Sequence, residues 1–215
     1  MLRLPAERRQ IARLFDFLLQ AEQLAFNCAS RQIRLFEDTA SQNFLRNQAK
    51  QEKFHYRVFK SAIGILAPRG IAGTPGIKII RQYNRLLEEA LVHGDQAETL
   101  LGMQVLLEGM GNVAIKRIDS GFEPRNLDFL CCRVRHLISG QEDAHHGFGI
   151  RRLQQCLDGA PAPGRLITRS QDYLELLEQL LVSVADLFDN FDEDPRDYLD
   201  EFYQTLPAWL RVESS

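Results

Sequence analysis

The stretch Arg133–Arg152, RVRHLISGQEDAHHGFGIRR, holds the pattern around which the rest of this chain of 215 residues is organised. At its centre is a Glu-x-x-His, formed by Glu142 and His145. Residues three positions apart share one face of a helix, so both side chains point in the same direction. A second Glu-x-x-His, Glu52 and His55, lies ninety residues earlier (142 − 52). One such pair arises easily by chance, whereas two pairs on apolar helical stripes predict a shared centre.

Each pair is preceded by a further glutamate in an apolar helical segment. Glu22 lies thirty residues before Glu52, and Glu108 lies thirty-four residues before Glu142. Taken alone, Glu22 would more often reach solvent from the edge of its stripe, whereas Glu108 directly follows the apolar run Val105–Leu107. Four helices can therefore bring four carboxylates and two imidazoles to one point. These ligands suit iron or manganese, and cations would offset the cost of burying the carboxylates.

Hydrophobic periodicity predicts an all-α chain, because no segment shows the strict alternation of a half-buried strand. Long helices are expected over about 6–37, after the turn at 38–41, after a cap at Asp95 and after a cap at Asn126. Shorter helices are expected at 77–92, at 168–190 and from Asp194 to Phe202, with Trp209 packing the tail onto the bundle. The predicted fold is one domain, 1–215, with a four-helix core over about 6–155 and C-terminal helices over about 165–210.

The composition excludes several classes of protein. The net charge is −3 and the pI is about 6.0, so nucleic acid is not the expected partner. No apolar run approaches the roughly 18 residues of a membrane span, and the first ten residues lack the apolar centre of a signal peptide. The cysteines form no Cys-x-x-Cys, which favours a reducing, cytoplasmic environment; they are Cys28, Cys131, Cys132 and Cys156.

Two features leave alternatives open. Asp143 and His146 repeat the spacing of the central Glu-x-x-His, but they lie on a more polar face, so the central pair is preferred. Gly109 and Gly111 follow Glu108, and each glycine inside a helix costs about 1 kcal/mol relative to alanine. A close contact between helices would explain these glycines, and so would space for a small molecule beside Glu108. The sequence supports the two explanations equally.

The combined pattern resembles the ferritin-like di-iron carboxylate superfamily, in which two helices each give one glutamate and two others each give a Glu-x-x-His. The resemblance covers about residues 6–155, and Glu142–Gly149 (EDAHHGFG) is similar to the fourth helix of the oxygen-activating oxidases and oxygenases of that superfamily. It implies two iron ions, or an Mn/Fe pair, and a bridging role for Glu52 with either Glu108 or Glu142. The implied ligands are Glu22, Glu52, His55, Glu108, Glu142 and His145.

The resemblance also implies residues around the ligands. Family members commonly place an acid that bonds a ligand histidine before the fourth-helix glutamate; Gln141 stands there, Gln51 stands before the second-helix glutamate, and His146 is a further neighbour. Phe59 occupies the place of a radical-forming tyrosine, and no Cys-x-x-Cys provides a rubredoxin-like module. Candidates for the wall of a substrate cavity are Phe26, Phe59, Leu101, Val105, Gly109, Gly111, Asn112 and Phe148.

The function that the resemblance implies is that of a non-haem di-iron oxidase or oxygenase. Two ferrous ions would reduce O2, and a small apolar substrate, fatty or aromatic, would be oxidised beside them with electrons from an external donor. The sequence leaves open whether the chain forms a homodimer. Ferritin-like iron oxidation and storage is the alternative, although the length and the extra helices disfavour it. A metal-free helical interaction protein is the third hypothesis.

Overall fold

The structure, a computed structural model, describes residues 5–71, 73, 76–122, 132–158, 162–188 and 194–211. Within these residues the chain forms helices and no strand, which confirms the predicted all-α class. A π-helical segment, Leu101–Leu107, joins α4 to α5, and 3-10 turns at Ile33–Leu35, Ala185–Leu187 and Ala208–Leu210 follow α1, α7 and α8. The helices are α1 (Pro5–Gln32), α2 (Thr39–Leu66), α3 (Ile77–His93), α4 (Gln96–Leu100), α5 (Glu108–Phe122), α6 (Cys132–Leu157), α7 (Gly164–Ser183) and α8 (Pro195–Thr205).

Helices α1 and α2 lie side by side and run in opposite directions. Arg8, near the start of α1, donates from Nη2 to the carbonyl oxygen of Ile65, near the end of α2, at 3.1 Å. Between the helices the chain is extended at Phe36, and Asp38 caps α2 by accepting from the backbone N–H of Ser41 at 2.7 Å. The first helix is therefore shorter than predicted, because this extended turn ends it before the cap.

The third long element is continuous from α4 through the π-helical segment into α5. The predicted cap Asp95 accepts from the backbone N–H of Glu98 at 2.9 Å. Within the π-helical segment the carbonyl oxygen of Gly102 accepts from the hydroxyl of Tyr83 on α3 at 2.5 Å. The segment directly precedes Glu108, and such wide turns inside helices often occur at functional sites. The predicted cap Asn126 of the next helix lies outside the described residues, as does Cys131.

Helices α7 and α8 pack on the bundle and extend its core. Arg169 of α7 donates from Nε to the buried carboxylate of Glu98 at 2.7 Å, and Arg165 approaches the same carboxylate at 3.2 Å. Helix α7 ends earlier than the predicted 190, but the apolar stripe continues into the following 3-10 turn, where Leu187 is buried. Trp209 is half-buried against the core, as the sequence predicts.

One apolar core contains side chains from all eight of the described helices. None of the described helices combines the length and the apolar content that crossing a bilayer demands. Buried polar side chains are exceptions in this core, and many of them lie on α2, on the element from α4 to α5, and on α6. These elements carry the two Glu-x-x-His pairs and the glutamate Glu108, so the candidate site lies within the bundle.

Candidate metal centre

Six buried side chains from four helical elements form a cluster inside the bundle. Their exposed fractions range from 0% to 7% of the surface of each residue. One set is Glu22, Glu52, His55 and Glu142, and the other is Glu52, Glu108 and His145; within each set, one ligand atom of every residue lies within 4.8 Å of the others. The six residues singled out in the sequence are thus brought together, and Glu52 belongs to both sets.

The first set surrounds the Nδ1 atom of His55. This atom lies 3.2 Å from a carboxylate oxygen of each of Glu22, Glu52 and Glu142. Three carboxylates and one imidazole nitrogen therefore point at one small volume from α1, α2 and α6. Glu22, which by itself resembles a solvent-facing residue in the sequence, is buried in this set.

The second set surrounds the Nδ1 atom of His145. This atom lies 3.1 Å from Oε1 of Glu52 and 3.6 Å from Oε2 of Glu108. Because Oε2 of Glu52 faces His55 and Oε1 faces His145, the two oxygens of one carboxylate address the two sets. Glu52, for which the resemblance implied a bridging role together with Glu108 or Glu142, is thus the carboxylate that the two sets share.

The outer nitrogen of each ring is held by a glutamine from the opposite helix. Nε2–H of His55 donates to Oε1 of Gln141 at 2.7 Å, and Nε2–H of His145 donates to Oε1 of Gln51 at 2.8 Å. An amide oxygen only accepts, so the proton of a neutral ring must lie on Nε2. The unprotonated Nδ1 then faces the carboxylates, an arrangement that a metal ion stabilises.

The residues present fit a pair of divalent cations. Both carboxylate oxygens of Glu52, Oε1 of Glu142 and Nδ1 of His145 are buried and have no hydrogen-bond partner, and such groups are costly to leave unsatisfied. Among the described residues, no lysine or arginine forms an ion pair with any of the four clustered glutamates. Two divalent ions would balance four carboxylates, and the mixed carboxylate and imidazole donors suit iron or manganese.

Without cations the cluster would hold protons. Burial, followed by repulsion from Glu108, raises the pKa of Glu52 to about 8 and raises the pKa of Glu142 well above its ordinary value. Burial opposes ionisation of Glu108 too, but the neighbouring carboxyl of Glu142 and ring of His145 outweigh burial and lower its pKa to about 2. The carboxylates raise the pKa of both clustered histidines in spite of burial. Metal ions would take the place of these protons.

A chain of three buried glutamines, which sequence reasoning missed, leads to Glu108. Nε2 of Gln48 donates to Oε1 of Glu108 at 2.9 Å, and Oε1 of Gln48 accepts from Nε2 of Gln104 at 3.2 Å. Gln104, in the π-helical segment, also exchanges hydrogen bonds with Gln32 at 3.0 and 2.6 Å. The available signal was Gln48 itself, a polar residue on the same stripe of α2 as Glu52. This chain leaves Oε2 of Glu108 to face the cluster.

The competing pair takes a different position. Asp143 is exposed, accepts from Nδ2 of Asn112 at 2.7 Å and pairs with Lys116 at 2.8 Å. Nδ1–H of His146 donates to the backbone carbonyl of Gln104 at 3.2 Å, which ties α6 to the π-helical segment. Neither residue belongs to the two ligand sets. The more polar face of α6 is thus the face that points away from the cluster.

An apolar cavity of about 70 Å³ lies beside the cluster. Its polar lining consists of Glu22, Glu108 and Glu142, so it borders ligands of both sets. Its apolar walls come from α1, from the element that contains α5, and from α7 with the turn that follows it. They include Leu14, Leu18, Ala21, Met103, Met110, Gly111, Ala114, Leu177, Leu181 and Phe188.

Gly111 lines this cavity, and the other seven wall candidates from the sequence do not. Leu101 and Val105 are fully buried in the core. Phe59 stacks on Phe15 at 5.5 Å between ring centroids, and Phe148 stacks on Phe44 at 4.0 Å. Three others lie elsewhere: Phe26 in a surface groove, Gly109 against His146, and Asn112 against Asp143. Proximity to a ligand along one helix did not predict the wall, because α7 provides much of it.

Comparison with known proteins supports the fold. No protein-family model and no curated protein sequence matches the chain. Among solved structures, the chain is similar to one described as "Protein 19 with aldehyde deformylating oxidase activity from Synechococcus", with a TM-score of 0.74 and 18% sequence identity. The match covers 93% of this chain and 87% of that chain. The prediction of a ferritin-like helical fold is thereby confirmed.

Proposed function

We propose that this chain, which has a ferritin-like fold, is a non-haem di-iron oxidase or oxygenase that uses O2 to oxidise a small apolar substrate. The observation that carries the proposal is the carboxylate of Glu52, whose two oxygens face two converging ligand sets. An apolar cavity borders the same ligands. A site that only bound metal ions would not need an apolar cavity next to it.

Each residue of the cluster has a role in holding the ions. Glu22, His55 and Glu142 would hold one ion, Glu108 and His145 would hold the other, and Glu52 would bridge them. When bound, the ion pair supplies the redox chemistry toward O2.

The surrounding residues orient the ligands and exclude water. Gln51 and Gln141 fix the histidine rings, and Gln48 fixes Glu108. The hydrocarbon walls of the cavity would place an apolar group against the ligands without a competing water.

The cavity favours an aliphatic substrate with one polar end. Its polar lining atoms belong to the ligand glutamates, so a polar group would lie there and a hydrocarbon tail would lie toward α7. Aliphatic aldehydes are the first substrates to test, because the similar solved structure is described as having aldehyde-deformylating oxidase activity. The apolar lining disfavours the iron-storage alternative, since carboxylate surfaces, rather than hydrocarbon surfaces, hold hydrated iron.

The test is metal loading followed by substrate turnover. Purified protein is loaded with ferrous iron without oxygen, and bound iron is measured by mass spectrometry, with two ions per chain expected from the two ligand sets. The His145→Ala variant should lose most of the iron.

With a chemical reductant and a series of aliphatic aldehydes, O2 uptake should depend on the aldehyde and yield an oxidised product. Full iron retention by both His55→Ala and His145→Ala would refute the site. O2 uptake with accumulation of iron mineral, independent of any organic compound, would favour storage.

A further inference from the structure

The outer face of α2 carries a row of five basic residues, here named the basic stripe. Its members, four and three positions apart in alternation, are Arg46, Lys50, Lys53, Arg57 and Lys60. This spacing keeps all five on one side of the helix, and all five are exposed. From the first to the last, the stripe extends about 21 Å at 1.5 Å per residue. The only acidic residue of α2, Glu52, is buried in the cluster.

The stripe has no acidic partner within the described part of the chain. None of its five cations appears in an ion pair with a described carboxylate, although Arg13, Arg117 and Arg169 on other helices all do. Arg46 donates only to the neutral side chains of Asn43 and Gln42. The chain as a whole has a net charge of −3, so the stripe is a positive region on a negatively charged protein. Like charges at helical spacing are mutually destabilising, so the stripe has no stabilising role within α2.

A groove with an aromatic floor lies along the stripe. It has a volume of about 280 Å³ and is lined by Gln23 and Phe26 of α1 and by Lys53, Tyr56, Arg57 and Lys60 of α2. The Nζ atom of Lys53 lies 5.8 Å from the ring centroid of Phe26, and that of Lys60 lies 5.7 Å from the ring centroid of Tyr56. Tyrosine, phenylalanine and arginine are enriched at protein interfaces, where aromatic rings give contact area and complementary charges steer and orient the partner.

The basic stripe lies directly behind the candidate metal centre. His55 is two positions from both Lys53 and Arg57, which is about 200° around the helix axis. The imidazole therefore points into the cluster while the two cations point to solvent. Only the thickness of one helix, about 10–12 Å with side chains, separates the two faces. On α1, the groove residues Gln23 and Phe26 lie within about one helical turn of the candidate ligand Glu22.

We propose that the basic stripe and its groove are the docking face for an acidic protein that carries one electron at a time. The inference rests on the proposed function, because O2 reduction at a di-iron centre needs electrons from outside. Each encounter would pass one electron to the metal pair, so the carrier is oxidised by one electron and the pair is reduced by one. The short path through α2 favours this face for electron entry over surfaces farther from the cluster.

Charge and shape together favour a protein over other anions. The stripe is long enough for a protein footprint, while the acidic balance of the rest of the chain would repel a long nucleic acid. The tyrosine and phenylalanine of the groove are half-buried rather than protruding, so they offer no wedge for insertion into a bilayer.

The experiment measures binding separately from turnover. The probe is a plant-type [2Fe–2S] ferredoxin, which is an acidic one-electron carrier, and its affinity for the metal-loaded protein is measured by calorimetry at about 20 mM and about 200 mM salt. The triple variant Lys53→Glu, Arg57→Glu, Lys60→Glu is compared with the control Lys78→Glu, Arg81→Glu, Arg85→Glu, which changes the net charge by the same amount. The three control residues lie on α3 and are also exposed.

The stripe variant should bind the probe at least about ten-fold more weakly than wild type at low salt, and the control should stay within about two-fold. Stopped-flow reduction of the metal pair by the probe should slow in parallel, while reduction by a small neutral reductant should not change. Equal affinity of the two variants for the probe, no binding by the wild type at low salt, or tighter binding of tRNA or of anionic vesicles would each overturn the proposal. A wild type that binds ferredoxin but holds no metal would refute the proposed function and leave the docking face intact.

Discussion

At the scale of single residues, a neutral amide before each Glu-x-x-His glutamate controls the histidine of the other pair. Gln51, next to Glu52, accepts from His145, while Gln141, next to Glu142, accepts from His55. A carboxylate in these places would add negative charge, whereas an amide holds the ring without doing so. The cluster thus keeps four carboxylates, which two divalent ions would balance. The two glutamines therefore supply the hydrogen bonds that orient the rings.

Because the candidate ligands form two sets, removal of one supporting amide is predicted to weaken the binding of one ion. Replacement of Gln141 by Leu removes the acceptor of His55, and replacement of Gln48 by Leu removes the donor to Glu108. Since these ligands belong to different sets, each variant should lose about 10–100-fold in affinity for one ion and keep the other.

A calorimetric titration with Co²⁺ would resolve the two binding steps, and each variant serves as the control for the other. Equal weakening of both steps in both variants, or of neither, would contradict the assignment of the amides to separate ions.

At the scale of elements, glycines set how closely α6 approaches the π-helical segment. A Cβ atom on Gly149 would lie 2.4 Å from Cβ of Gln104 and 3.0 Å from its backbone carbonyl carbon. A Cβ atom on Gly109 would lie 2.8 Å from the ring of His146. By contrast, a Cβ atom on Gly111 would meet only Oε2 of Glu142, at 3.9 Å. Of the two explanations open for the glycines after Glu108, close contact therefore applies to Gly109 and free space to Gly111.

This difference predicts opposite effects of two alanine substitutions. Gly149→Ala should lower the free energy of unfolding by about 1–3 kcal/mol, because the clash involves the backbone of the opposing element. Gly111→Ala should leave it unchanged or raise it by up to about 1 kcal/mol, because alanine favours the helix and meets no close neighbour.

Urea unfolding followed by circular dichroism would measure both changes under the same conditions. A Gly149→Ala variant as stable as wild type would show that α6 and the π-helical segment are not in close contact.

At the scale of the whole molecule, the charge cluster is expected to link metal binding to stability. Four carboxylates and two imidazoles lie within an apolar core that includes side chains of every helix. Removal of a cation leaves buried charge that the chain can only neutralise with protons or hydration. The folded state should therefore bind metal far more tightly than the unfolded chain, which lacks the converged ligands.

Chelation is accordingly predicted to lower the unfolding temperature. Free metal at a hundred times its dissociation constant adds about 2.7 kcal/mol for one site, which corresponds to a shift of about 5–10 °C for a chain of this length. Differential scanning calorimetry of the iron-loaded and chelator-treated protein would measure the shift, and the Glu52→Gln variant should show a much smaller one. An identical unfolding temperature with and without metal would instead support a metal-free helical bundle.

Periodicity placed the helices and put both Glu-x-x-His pairs on apolar stripes, because the angle between two side chains on one helix depends only on their separation along the chain. It also separated the central pair in α6 from the competing pair one residue later. Glu22, at the edge of its stripe, was assigned only because it repeats the arrangement of Glu108 before the other pair. The ends of the helices were predicted less accurately. The chain becomes extended at Phe36, and the apolar stripe contains no signal for this turn.

The tertiary structure decided which helix faces which. The chain of glutamines behind Glu108, the contact of Gly149 with the π-helical segment and the wall that α7 adds to the cavity all join residues distant in sequence. No spacing rule fixes these contacts, because the rotation and approach of two packed helices depend on the sizes of all the side chains between them. The sequence therefore predicted the six candidate ligands, and only the packing of the helices revealed the side chains that surround and orient them.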